Sequence, residues 1–251
     1  MRYSKQPLSF AEQLQLMQER GLAITDPDRA LRWLKKISYY RLSAYFLPFK
    51  DNGNFLPGTE FDDVAGLYIF DRKLRLLVLD AIERIEVEVR TAITYEIARA
   101  HGPFGHLDPA NFDPQYRHVD LLRDIRIEEA RAGETFVLHF RNKYTSEPDL
   151  PVWMATELLS LGAISLMYRY LSPAIKTAIA RPYGVPLAWA ATIPDPGRIY
   201  CALSILRHLL LVLSPGCRWK ERLEALLTQH PHVSRQAMGF DPNWKNLPLW
   251  R

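Results

Sequence analysis

An all-α fold is predicted by three observations. Apolar residues recur at steps of three and four along a proline-free run from Phe61 to Ala100, shorter amphipathic runs open on capping residues, and a single Asn-Gly pair carries the only strand signal of weight. The 251 residues contain 48% apolar and 24% charged side chains, an ordinary globular composition, and no stretch reads as a linker. One helical domain over residues 1–251 is expected, divisible at most into two fused lobes, 1–115 and 116–251.

The elements follow in order. Ser9 with Glu12 three residues later forms a capping box ahead of Leu14 and Met17, and Gly21 stops this first helix. Asp26-Pro27 caps a second, whose stripe of Leu31, Leu34, Ile37 and Leu42 predicts a helix continuing to Pro48. Asn52-Gly53 between aromatics allows a small β-hairpin. The long helix carries acid-before-base pairs four residues apart at Asp71/Arg75, Asp80/Arg84 and Glu86/Arg90, a spacing that supports helix.

Gly102 to Pro114 reads as loop, followed by helices over Val119–Ala130 and Glu134–Tyr144. Three short helices are expected over Val152–Leu161, Ile164–Leu171 and Pro173–Ala180, separated at Gly162 and at Ser172-Pro173. Asp195-Pro196 caps a helix running to Leu213, and a last helix carries Trp219, Leu223 and Leu226. The tail from Pro231 is expected as an extended strap pinned by Trp244 and Trp250.

A net charge of +4 permits nucleic-acid binding without demanding it. Cys201 and Cys217 are too few for a disulfide framework, the first residues lack the apolar core of a signal peptide, and the most apolar run, Cys201 to Leu213, is shorter than a membrane span. A cytoplasmic protein without a membrane segment is expected. Glycine-rich phosphate loops, GxSxG and HExxH are absent. The close histidine pairs, His101/His106 and His230/His232, lack cysteine or carboxylate at zinc-like spacing, so neither a metal nor a cofactor is expected.

Two clusters read in two ways. Ser38-Tyr39-Tyr40-Arg41 with Tyr45 and Phe46 serves either core packing or base stacking, and Arg84, Glu86 and Arg90 form either an ion-paired surface or an RNA groove. Tyr39, Tyr40, Arg41, Arg84 and Arg90 are therefore the candidate RNA-binding residues.

Six ordered blocks resemble the Abi family of abortive-infection phage-resistance proteins related to AbiD and AbiF. They are SFAEQLQLMQERGL from Ser9, KISYYRLSAYFLPF from Lys36, FDRKLRLLVLDAIERIEVEVRT from Phe70, GPFGHLDPANF from Gly102, PVWMATELLSLGAIS from Pro151 and AMGFDPNWKNLPLW from Ala237. The resemblance implies a compact HEPN-like helical domain, a homodimer, and RNA as partner, either a small non-coding or a phage-derived RNA. It also implies metal-independent RNA cleavage through an arginine, a polar residue and, after three intervening positions, a histidine.

Here the matching helix reads Arg207-His208-Leu209-Leu210-Leu211-Val212, with valine at the histidine position. Arg207 and His208 are the candidate catalytic residues. Three functions remain open: an RNA-associated defence protein with a degenerate nuclease motif, an active endoribonuclease toxin in which His208 substitutes, and a non-catalytic partner of a toxin. Arg207 lies about 40° around the helix from Leu203 and about 60° from Leu210, so it projects from an apolar stripe and needs a partner, either Glu83, Glu86 or an RNA phosphate.

Overall fold

A computed structural model describes residues 6–184 and 199–250. These residues form eleven α-helices, several 3-10 turns and one two-stranded hairpin, an all-α fold. Two compact units divide them: the first comprises the chain to Val78 with Arg218–Pro242, the second Leu79–Cys217 with the tail from Asn243.

In the first unit α1 spans Phe10–Glu19 and carries the expected reciprocal cap, with the Ser9 amide donating to Glu12 Oε2 at 2.7 Å and the Glu12 amide donating to Ser9 Oγ at 3.3 Å. Helix α2, Pro27–Ile37, starts with Pro27 at its first position and the Arg29 amide donating to Asp26 Oδ1 at 2.9 Å. It does not continue through Leu42 as the apolar stripe predicts. Ser38 takes φ 68°, its hydroxyl accepts from the Arg41 amide at 3.3 Å, and the chain restarts as α3, Tyr39–Ser43, before a 3-10 segment over Ala44–Phe49. A serine hydroxyl offers the backbone a local alternative to the helical ladder, and that competition ends α2 at Ile37, about three turns short of Pro48.

The hairpin pairs β1, Lys50–Asp51, with β2, Asn54–Phe55, around Asn52 and Gly53 at φ 47° and 87°, the left-handed pair that a two-residue hairpin turn requires. Met17, Leu34, Leu42, Phe46 and Val64 form the core of this unit. The last helix, α11 over Trp219–Gln229, belongs to it, and the Trp219 indole donates to the Leu77 carbonyl at 2.8 Å.

Helix α4 is continuous over Phe61–His101, roughly 60 Å long at the usual rise per residue. All three acid-before-base pairs form, at 2.9 Å for Asp71/Arg75, 3.3 Å for Asp80/Arg84 and 2.7 Å for Glu86/Arg90. The second unit packs its C-terminal part with α5 (His118–Arg131), α6 (Thr135–Lys143), α7 (Val152–Leu158), α8 (Leu161–Tyr170), α9 (Pro173–Ala180) and α10 (Ile199–Leu213). Ile93, Ile97, Leu150, Val152, Ile164, Met167 and Leu171 fill its core.

Gly105 sits so close to α4 that a Cβ there would lie 2.5 Å from that of His101. Gly162 does not separate two helices as expected. Ser160 caps α8 through the Ala163 amide at 3.3 Å, and the glycine falls in the first turn. The Asp195-Pro196 cap lies outside the described residues. The tail is pinned by Trp244 and Trp250, buried and edge to face with centroids 4.9 Å apart, but it reaches them through turns and a 3-10 segment over Trp244–Asn246, not along extended backbone.

Candidate functional site

Helix α10 is apolar around most of its circumference, and three polar residues interrupt its buried side: Ser204, Arg207 and His208. Ser204 precedes Arg207 by one turn, so both occupy one face. Arg207 is 9% exposed, its buried Nε has no hydrogen-bond partner, and the guanidinium makes no ion pair among the described residues. The Ser204 hydroxyl is likewise buried without a partner. Burying a polar atom without a partner is costly, so Arg207 Nε and Ser204 Oγ place two unsatisfied donors side by side on one face of α10.

His208 is held differently. Its Nε2 lies 3.0 Å from the Tyr183 carbonyl, a contact that fixes that nitrogen as the N–H donor. Tyr183 in turn donates its hydroxyl to Glu88 Oε1 at 2.8 Å, and burial together with that carboxylate raises the phenol far above its ordinary range. Glu88 and Tyr183 line a cavity of about 200 Å³ whose other walls include Ile85, Val89, Tyr168 and Leu209. A second apolar hollow of about 300 Å³ shares Ile85, Val89, Tyr168 and Leu209 with it. Ala202, Ile205 and Val212 are exposed on α10, whereas Leu203 and Leu210 are buried.

The carboxylates expected to pair with Arg207 do not do so among the described residues. Glu86 holds Arg90 instead, and Arg90 also donates through Nη1 to the Leu159 carbonyl at 3.0 Å and to the Thr156 carbonyl. With its side chain 11% exposed, Arg90 clamps the C-terminal end of α7. Arg84 pairs with Asp80 on the surface.

In the first unit, Tyr39 accepts a hydrogen bond from Arg20 at 3.1 Å and packs edge-on against Phe46, and Tyr45 donates to Asp71 at 2.6 Å, so its phenol is pushed up to about 12 by burial and that bond. Tyr40, 89% exposed, and Arg41 face outward. The aromatic cluster thus divides, Tyr39, Tyr45 and Phe46 packing inward and Tyr40 with Arg41 on the surface. Among the described residues no group of three His, Cys, Asp or Glu side chains is placed to hold a metal.

Sequence reasoning did not single out Ser204, although its position three residues before Arg207 in an apolar run was a usable signal. Nothing in the sequence joins Glu88 to Tyr183, because the pair meets across 95 positions.

The Abi-like protein family model matches residues 32–210, so the chain belongs to this family. Membership supports an abortive-infection role in phage defence. No curated protein and no solved structure matches the chain. Among the described residues no helix is long and apolar enough to cross a membrane.

Proposed function

We propose that this chain is an abortive-infection protein that binds RNA through Arg207 and does not cut it. The observation that carries the reading is the nearly buried guanidinium of Arg207 without a partner among the described residues, beside the unpartnered Ser204 hydroxyl. A phosphate oxygen supplies what the guanidinium lacks, a charged acceptor. Cleavage needs a proton-transfer group as well, and Val212 has none. His208, one turn before Val212, is anchored on the Tyr183 carbonyl, which argues against its acting as the substitute.

The test replaces Arg207 by an apolar side chain of similar length. Because Arg207 is nearly buried with its Nε unsatisfied, Arg207→Met raises stability by about 1–3 kcal/mol while RNA affinity falls about 10- to 100-fold, the worth of a charge-assisted contact. Phage protection falls with it. Thermal melts, gel shifts with total RNA in EDTA and plaque counts read the three quantities. A lower melting temperature with unchanged RNA affinity would make Arg207 a structural residue, and RNA cleavage by the wild-type protein that the variant loses would restore the nuclease reading.

A further inference from the structure

The geometry points to a second RNA contact in the first unit, a cationic cleft on α2 that takes single-stranded RNA with an unstacked base against Trp33. The inference rests on the reading that the chain binds RNA, and it assigns the form of that RNA. From Arg32 to Lys50 the sequence has five cations, Arg32, Lys35, Lys36, Arg41 and Lys50, and no acid, with six aromatics interleaved. Cations alternating with aromatics match the two things a nucleotide offers, a phosphate and a base face.

The fold sorts these cations. Lys50 lies over the rings of Phe46 and Phe55, at 5.0 and 4.6 Å, and is occupied there. Arg29, Arg32 and Lys36 recur at steps of three and four along α2, a ridge roughly 10 Å long, and with Trp33 and Ile37 they wall a cleft of about 360 Å³. Arg29 is neutralised by Asp62. Arg32, with its side chain 63% exposed, reaches Asp26 only at 4.0 Å, and Lys36 has no ion-pair partner among the described residues. Trp33 is braced edge-on by Phe61 and Tyr68, centroids 5.9 and 5.6 Å away, so its position in the cleft wall is set by packing.

Immediately after the cleft, Ser38 turns the chain at φ 68° and Tyr40 follows at 89% exposure. A serine in that backbone region is strained, and an exposed tyrosine beside Arg41 contributes little to the core. In a duplex the base faces are already stacked on one another, so Trp33 and Tyr40 find partners only on a single strand.

The experiment measures binding of the full chain to a single-stranded RNA oligonucleotide, to the same sequence as a duplex, and to polyglutamate, between 50 and 200 mM salt. Each single-strand phosphate contact contributes about 0.7 to the slope of log affinity against log salt, or about fivefold in affinity at 0.1 M. Arg32→Ala with Lys36→Ala therefore flattens the single-strand slope by about 1.4 and weakens binding about 25-fold at 0.1 M. Arg32→Gln with Lys36→Gln, which keeps most of the apolar stems, gives the same slope change if any lost packing is irrelevant.

If the wild-type protein binds no RNA, both this inference and the reading of Arg207 fall. If it binds and the double variants keep slope and affinity, the cleft falls and Arg207 stands. If the double variants weaken binding while Arg207→Met does not, Arg207 falls and the cleft stands. Equal losses on single strand and duplex overturn the single-strand assignment, and polyglutamate bound as tightly as RNA makes the cleft a site for acidic protein segments.

Discussion

Arg90 and Arg207 are both nearly buried arginines on long helices of the second unit, and they differ in what surrounds them. Arg90 has Glu86 one turn before it and two carbonyls at the end of α7, so its charge is compensated and its donors are used. Arg207 has neither among the described residues. Helical spacing gives Arg90 its carboxylate at i−4 and gives Arg207, in an apolar run, none. What decides whether a buried arginine is a clamp or a receptor for an outside anion is the set of acceptors brought in by other elements.

The largest effect that sharpens this contrast is on Arg90. Arg90→Ala leaves Glu86 and the α7 carbonyls without their donor and costs about 3–5 kcal/mol, the range for breaking a buried charge pair, while Arg207→Met moves stability the other way. Thermal melting of the two variants side by side would break the comparison if both shifted in the same direction.

His106 extends the contrast to a group that can shed its charge. It is 1% exposed with both ring nitrogens unpartnered, and burial, reinforced by His118 and opposed by Asp149, lowers its pKa from 6.5 to about 4. The fold refuses a proton that the unfolded chain accepts, so stability is retained above about pH 6.5 and is lost as pH falls toward 4. Between pH 7.5 and 4.5 the loss from this residue is roughly 2–3 kcal/mol. Urea midpoints across that range should show the wild type falling relative to His106→Leu as pH drops, and parallel curves would show that His106 is not the titrating group.

The smallest effect belongs to Arg84, whose pair with Asp80 is partly exposed at 38% and 31%. Arg84→Ala should change stability by no more than about 0.5 kcal/mol. A cost near that of Arg90→Ala would mean that exposure is the wrong way to rank these pairs.

Features written locally were legible from the residues. The Ser9/Glu12 box, the Asp26-Pro27 cap, the Asn52-Gly53 turn and the proline-free run of α4 each depend on neighbours within a few positions, and all formed. Ser38 and Gly162 were misread because a serine that breaks a helix and a glycine that is tolerated inside one carry no distinguishing composition. At the site, the apolar stripe around Arg207 announced its burial. Its lack of a carboxylate did not follow from sequence: the i,i+4 spacing already assigned Glu86 to Arg90, but whether another element brings an acid to Arg207 depends on packing between distant segments. The α2 cleft was invisible because its concavity depends on how Trp33 is braced by Phe61 and Tyr68.

Trp33 also gives the chain an optical property. Trp219, Trp244 and Trp250 are at most 3% exposed and so sit in apolar surroundings that shift indole emission toward the blue, whereas Trp33 stands half-buried at the cleft wall and Trp153 is 47% exposed. A nucleobase laid against Trp33 would remove light from the red side of the spectrum while the buried indoles continue to report an intact fold. Among the tryptophans of the described residues, occupancy of the cleft and integrity of the fold thus report at different wavelengths.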